Sequence, residues 1–93
     1  MQKLAQDDIE QKLADFPEWS ATGDAMQRTL SFSNFVESMS FVNKLAKLAE
    51  KHKHHPDILI RYNKVTLTLT THDAGGVTEK DFALAREIDQ LVG

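Results

Sequence analysis

The chain contains no cysteine. Disulfides, thiolate nucleophiles and thiolate metal sites are therefore excluded. Long apolar runs are also missing: no stretch approaches the roughly 20 apolar residues of a membrane span. The opening MQKLAQDDIEQKL is acidic and lacks the apolar core of a signal peptide, so a soluble, cytoplasmic protein without membrane contact is expected. Excess positive charge is absent too. Eleven Lys and Arg face 14 Asp and Glu, a net charge of -3, which argues against direct nucleic-acid binding by bulk charge. No linker, low-complexity run or repeat divides the 93 residues, so a single domain over residues 1–93 is expected. Its core is modest, which places any reaction pocket at an element edge or a subunit boundary.

Proline is scarce, and its two occurrences, Pro17 and Pro56, punctuate the chain. A helix is expected over Asp7 to Ala14, with Ile9, Leu13 and Phe16 as its apolar stripe and Pro17 just beyond. Strands are expected over Glu18 to Ala21 and Met26 to Phe32, around the turn Thr22-Gly23-Asp24-Ala25. Arg28 shares a face with Met26, Leu30 and Phe32 and breaks the pattern. Asn34 and Glu37 form the capping box of a long helix. Its core face is expected to hold Phe35, Met39, Val42, Leu45, Ala46 and Ala49. Pro56 disfavours helix before it, so that helix should stop by His54 or His55.

Beyond Pro56 the period is two. Ile58, Ile60 and Tyr62 alternate with Leu59 and Arg61, then Val65, Leu67 and Leu69 with Thr66, Thr68 and Thr70. Asn63-Lys64 is the expected two-residue turn. Thr78 is expected to cap a last helix, with Asp81 in its first turn and Leu84, Ala85, Ile88, Leu91 and Val92 inward. The fold class that follows is α+β, ordered α-β-β-α-β-β-α: one four-stranded antiparallel sheet with three helices on one face.

Three of the four histidines lie in EKHKHHP, residues 50 to 56. A turn at Asn63-Lys64 would set His55 opposite His72 and His54 opposite Asp73, so the fourth histidine would join the cluster in space. Glu50 and His54 are four apart and would share a helix face. Asp81 could return against His72 across the Gly75-Gly76 loop. Imidazole suits proton transfer near neutrality, and one ring can accept a proton while another donates. No serine or cysteine nucleophile is obvious. Other readings stand beside this one. Lys51, His52 and Lys53 also fit a solvated helix end, and Asp81 fits a capping residue. Three histidines and a carboxylate could bind zinc, but H-x-H-H does not align three rings as H-E-x-x-H aligns two.

Glu50, His54, His55, Pro56, Tyr62, His72 and Asp81 read E-x3-H-H-P-x5-Y-x9-H-x8-D. This order and spacing resemble the signature of the pterin-4a-carbinolamine dehydratase family. YNKVTLTLTTH resembles the family's second hairpin, and Trp19 with LSFSNFVESMSFVNKLA its first hairpin and long helix. The resemblance implies dehydration of 4a-hydroxytetrahydrobiopterin to quinonoid dihydropterin, in tetrahydropterin recycling after aromatic amino acid hydroxylation, without metal or cofactor. By position, His54 and His72 would be the acid–base pair, with His55 binding substrate and assisting. Asp81 would orient His72, and Glu50 would support the site. Pro56, Thr71, Asp73 and Ala74 would contact the pterin together with the histidines. The resemblance further implies a homo-dimer or homo-tetramer and a functional link to an aromatic amino acid hydroxylase. Two positions depart from the pattern: Ile58, where many members have tryptophan, and Lys53, where animal members often have an acidic or amide residue. The alternative function is a non-enzymatic dimerisation, assembly or transcriptional cofactor module of the same fold.

Overall fold

The alternation around residue 63 folds as an antiparallel hairpin in the computed structural model, which describes residues 2–93. The elements are α1 (Gln6–Leu13), β1 (Ser20–Thr22), β2 (Ala25–Ser31), α2 (Phe35–His52), β3 (Asp57–Arg61), β4 (Lys64–Leu69), a 3-10 turn (His72–Ala74) and α3 (Glu79–Val92). The strands form one antiparallel sheet in the order β1-β2-β4-β3. Three helices cover one face. Met26, Leu30, Val65, Leu67 and Leu69 point into the core and meet Phe41 and Leu45 of α2 and Leu84, Ala85 and Ile88 of α3. On the other face polar residues pair across strands: Thr29 with Thr66 at 2.9 Å, and Gln27 donating to Thr68 at 3.1 Å. That division is what period-two alternation produces in a sheet covered on one side.

Arg28, the flaw in the β2 pattern, does face the helices. It pairs with Asp89 of α3 at 2.5 Å, and the Trp19 indole donates to the same oxygen at 2.8 Å. The carboxylate lets the guanidinium lie beneath α3 with its side chain only 15% exposed, since a mostly buried charge needs a partner.

The second hairpin turns one residue earlier than expected. Arg61 pairs with Lys64, so Tyr62 and Asn63 form the turn, and Ile60 faces Val65 while Ile58 faces Leu67. Tyr62 takes the positive φ, 51°, a conformation costing about 1–2 kcal/mol for a non-glycine residue. Three hydrogen bonds hold it. Ser38 Oγ donates to the Tyr62 carbonyl at 2.9 Å, Asn63 Nδ2 to the Phe32 carbonyl at 3.1 Å, and the Phe32 amide to the Asn63 carbonyl at 2.8 Å. The partner sum changes by two, so every side chain keeps its face.

The same contact rotates α2. Its buried face is Ser38, Phe41, Leu45 and Ala49, whereas Phe35 is 49% exposed and Ala46 is also outside. Asn34 caps the helix by accepting from the Glu37 amide at 2.9 Å. Glu37 reaches back to the Ser33 amide (3.4 Å) rather than to Asn34. Leu91, expected inward on α3, lies at the exposed end.

Candidate active site

α2 ends at Lys53, whose φ of 52° and ψ of 40° are left-handed. The Lys53 amide donates to Glu50 and the His54 amide to Ala49. This pair of bonds satisfies the last carbonyls and turns the chain off the helix axis. His54 therefore lies outside the helix. The expected Glu50–His54 pair does not form; Glu50 accepts instead from His55 Nε2 at 2.6 Å, on the surface.

His54 turns inward to Asp81. Its Nε2 is 2.5 Å from Asp81 Oδ1, with His54 8% and Asp81 0% exposed. Asp81 was expected beside His72 and is held by His54 instead. The reason lies in the cap of α3. The other carboxylate oxygen, Oδ2, accepts from the Thr78 amide and from Thr71 Oγ1, both at 2.9 Å. The first bond is half of a capping box, which points Asp81 at the end of β4 and the end of α2. A carboxylate receiving three donors acts as an acceptor throughout, so His54 Nε2 carries the proton and Nδ1 is left as the basic nitrogen. The hydroxyl protons are ordered as well. Thr71 gives its proton to Asp81, so Thr78 donates in the 2.8 Å contact between the two threonines.

His72 opens the 3-10 turn after β4. That turn is closed by the Thr71–Gly76 bridge and by Gly75 amide bonds to the Thr71 and His72 carbonyls, with Gly75 at φ 77°. Extended along the observed register, His54 aligns with Thr71 and His55 with Thr70, not with Asp73 and His72. The neighbourhood nonetheless assembles: His54, His55 and His72 line one open pocket of about 230 Å³. Thr70, Thr71 and Asp73 form more of its wall, and Lys53 and Lys80 complete it. Glu50, Pro56, Ala74 and the fully buried Asp81 are not on that lining. Among the described residues, no three His, Asp or Glu side chains are grouped to hold a metal ion.

His52 differs from the solvated helix end expected of it. Its side chain is 16% exposed and its Nε2 lies 2.6 Å from Glu87, which also receives Lys51 at 3.2 Å. These bonds join α2 to α3 and hold the Glu87 carboxyl below its ordinary pKa, the Lys51 bond first and the His52 bond next. Thr78 and Lys80 were not singled out from the sequence as site residues. Thr78-x-x-Asp81 was visible only as a cap, and nothing local connects it to His54.

The family model described as "Pterin 4 alpha carbinolamine dehydratase" matches residues 2–91. The chain belongs to that family. It is 55% identical over 89 residues to the "Putative pterin-4-alpha-carbinolamine dehydratase" of Picosynechococcus sp., covering 96% of this chain and 97% of that protein. A protein of the same name from Thermomicrobium roseum is 54% identical, with 98% of each chain covered. Among solved structures, a "transcriptional coactivator/pterin dehydratase" from Brucella melitensis superposes with a TM-score of 0.92 at 32% identity, covering 98% of this chain and 99% of that one. A "pterin dehydratase-like protein" described as a RuBisCO assembly factor in the alpha-carboxysome superposes with a TM-score of 0.70 at 25% identity, covering 82% of this chain and 90% of that one. The family's fold is therefore shared by proteins named for catalysis and for assembly.

Proposed function

We propose that residues 1–93 act as a single domain that dehydrates a 4a-hydroxytetrahydropterin to the quinonoid dihydropterin. The observation that carries this reading is the buried Asp81–His54 couple at the wall of a pocket shared with His55 and His72. In the reaction the C4a–O bond breaks and the hydroxyl leaves as water after taking a proton. N5 gives up its proton, and the N–H electron pair becomes the second C4a–N5 bond. Nothing is oxidised or transferred, so one base and one acid suffice and neither metal nor cofactor enters the scheme. His54 is assigned as the base: Asp81 fixes its tautomer and favours the imidazolium that forms. The exposed His72 supplies the proton to the hydroxyl. His55, held by Glu50, and the backbone of Thr71 and Asp73 receive the pterin; Pro56 and Ala74, each next in the chain to a lining residue, are proposed as its outer contacts. Tetrahydropterin recycling beside an aromatic amino acid hydroxylase, in the cytoplasm, is the setting this chemistry fits.

The rival reading, an assembly or cofactor module, requires none of the three histidines. The discriminating measurement is dehydration of carbinolamine generated in the assay. Wild-type protein is expected to accelerate it, and His54→Ala and His72→Ala are each expected to lower the rate by about 100-fold or more with the fold intact by circular dichroism. A folded wild-type protein with no acceleration over buffer overturns the enzyme reading.

Self-association is proposed for β3, an edge strand on which Ile58 and Leu59 are 39% and 57% exposed. Its sequence, Asp-Ile-Leu-Ile-Arg, is self-complementary. A second copy paired antiparallel about Leu59 sets each Asp57 opposite an Arg61 and each Ile58 opposite an Ile60, which suits a two-fold interface.

A further inference from the structure

Lys53 and Lys80 stand on the rim of the histidine pocket, and local physics favours neither placement. Lys53 has a left-handed backbone (φ 52°), where glycine or asparagine is the ordinary choice. Its charge suits a helix C-terminus, but its backbone conformation does not. Lys80 lies in the first turn of α3, where the helix dipole disfavours a cation. The two come together in space: Lys80 Nζ is 3.5 Å from the Lys53 carbonyl oxygen. Lys12 and Lys51 are each neutralised, by Glu79 and by Glu87. Among the described residues neither Lys53 nor Lys80 has a carboxylate partner. On the pocket lining itself the one carboxylate is Asp73, against these two lysines; Asp81 and Glu50 lie behind it and are engaged by His54 and His55.

We propose that Lys53 and Lys80 select a pterin whose C6 substituent is anionic, a phosphate monoester or a carboxylate. This rests on the dehydratase reading of the same pocket and names its substrate class. C6 is bonded to N5, so the first atom of the substituent lies two bonds from the reacting nitrogen. Once the histidines engage C4a and N5, the substituent is carried to the rim beside them. The pterin ring is neutral there and offers the lysines no other anionic group. Two exposed ammonium groups acting on one anion give a preference of about tenfold, which salt screens because the Debye length is roughly 10 Å at 0.1 M.

The test compares three tetrahydropterins that differ at C6: a neutral dihydroxypropyl group, the same group as its phosphate monoester, and a carboxylate. kcat/KM is measured for each carbinolamine at low and at high salt. Equilibrium binding of the corresponding oxidised pterins is measured by fluorescence in parallel. At low salt the wild-type protein is expected to favour one or both anionic pterins by about tenfold, and the difference is expected to lie in KM and Kd. High salt should shrink the preference. The double variant Lys53→Asn with Lys80→Gln should bring the ratio to about one, since asparagine keeps the left-handed backbone while removing the charge. Lys47→Gln, on an exposed part of α2 outside this pocket, should keep the ratio. A gain with phosphate alone or with carboxylate alone identifies the anion. Equal affinity of wild-type protein for all three pterins overturns the proposal, as does a preference that survives the double variant. If none of the carbinolamines is dehydrated, the dehydratase reading fails, and the binding ratios still decide the anion preference.

Discussion

His54 and Asp81 are 27 residues apart in sequence and 2.5 Å apart in space, His54 Nε2 against Asp81 Oδ1, and Asp81 is wholly withdrawn from water. The same carboxylate caps α3 and braces Thr71. One side chain therefore ties the end of α2, the end of β4 and the start of α3 together, and the rigidity of the site is the rigidity of those joints.

Asp81→Asn tests this double role. An amide donates as well as accepts, so it cannot receive the Thr78 amide, the Thr71 hydroxyl and His54 together. The expected result is a fall in carbinolamine dehydration of about 100-fold or more with a stability loss of about 1–3 kcal/mol. Urea denaturation and initial rates on the same preparation measure both. Stability lost without a change in rate would confine Asp81 to capping.

Glu87 links stability to pH. Its carboxyl is held below the ordinary value of 4.5, first by the Lys51 hydrogen bond and then by that from His52. A lowered carboxylate pKa stabilises the fold fully above the unfolded value and loses that contribution as pH falls through the folded one. The melting temperature of wild-type protein should therefore exceed that of Glu87→Gln at pH 5 to 6. The gap should close as pH is lowered below about 4.5. A gap that stays constant down to pH 2.5 would mean that packing, not ionisation, produces it.

Arg28 and Asp89 form an asymmetric pair. Removing the carboxylate strands a guanidinium whose side chain is 15% exposed and whose Nε already has no partner. Asp89→Ala also takes the acceptor from Trp19. It should cost about 3 kcal/mol, whereas Arg28→Met, which leaves the more exposed Asp89 carboxylate still accepting from Trp19, should cost clearly less. Chemical denaturation of the two single variants and the double variant gives the comparison, and equal costs for the two singles would contradict it.

Leu59 tests the edge-strand pairing. Sedimentation is expected to show a dimer or larger assembly for the wild-type chain. Leu59→Lys places two ammonium groups face to face at the two-fold centre and should shift the protein to monomer. Because Leu59 is already 57% exposed, the variant should leave monomer stability within about 0.5 kcal/mol. An unchanged sedimentation coefficient would place any self-contact elsewhere.

Local sequence was enough for the element order, the side of the sheet that each β4 residue faces, and the stop of α2 before Pro56. Periodicity, caps and proline act over a few residues, and these features depend on nothing more distant. Partner choice was different. Asn63 promised the turn by its composition, yet Tyr62 takes the left-handed position because Ser38, on another element, holds its carbonyl. Phe35 fits the apolar repeat of α2, yet Ser38 and Phe41 face inward because the helix docks against that turn. Glu50 and Asp81 were both recognisable as candidate carboxylates, but each meets a different histidine from the one expected. A left-handed residue at Lys53 separates His54 from the helix that carries Glu50, and the α3 cap aims Asp81. Those pairings depend on how three element ends meet, which is a property of the packed chain and of no single segment.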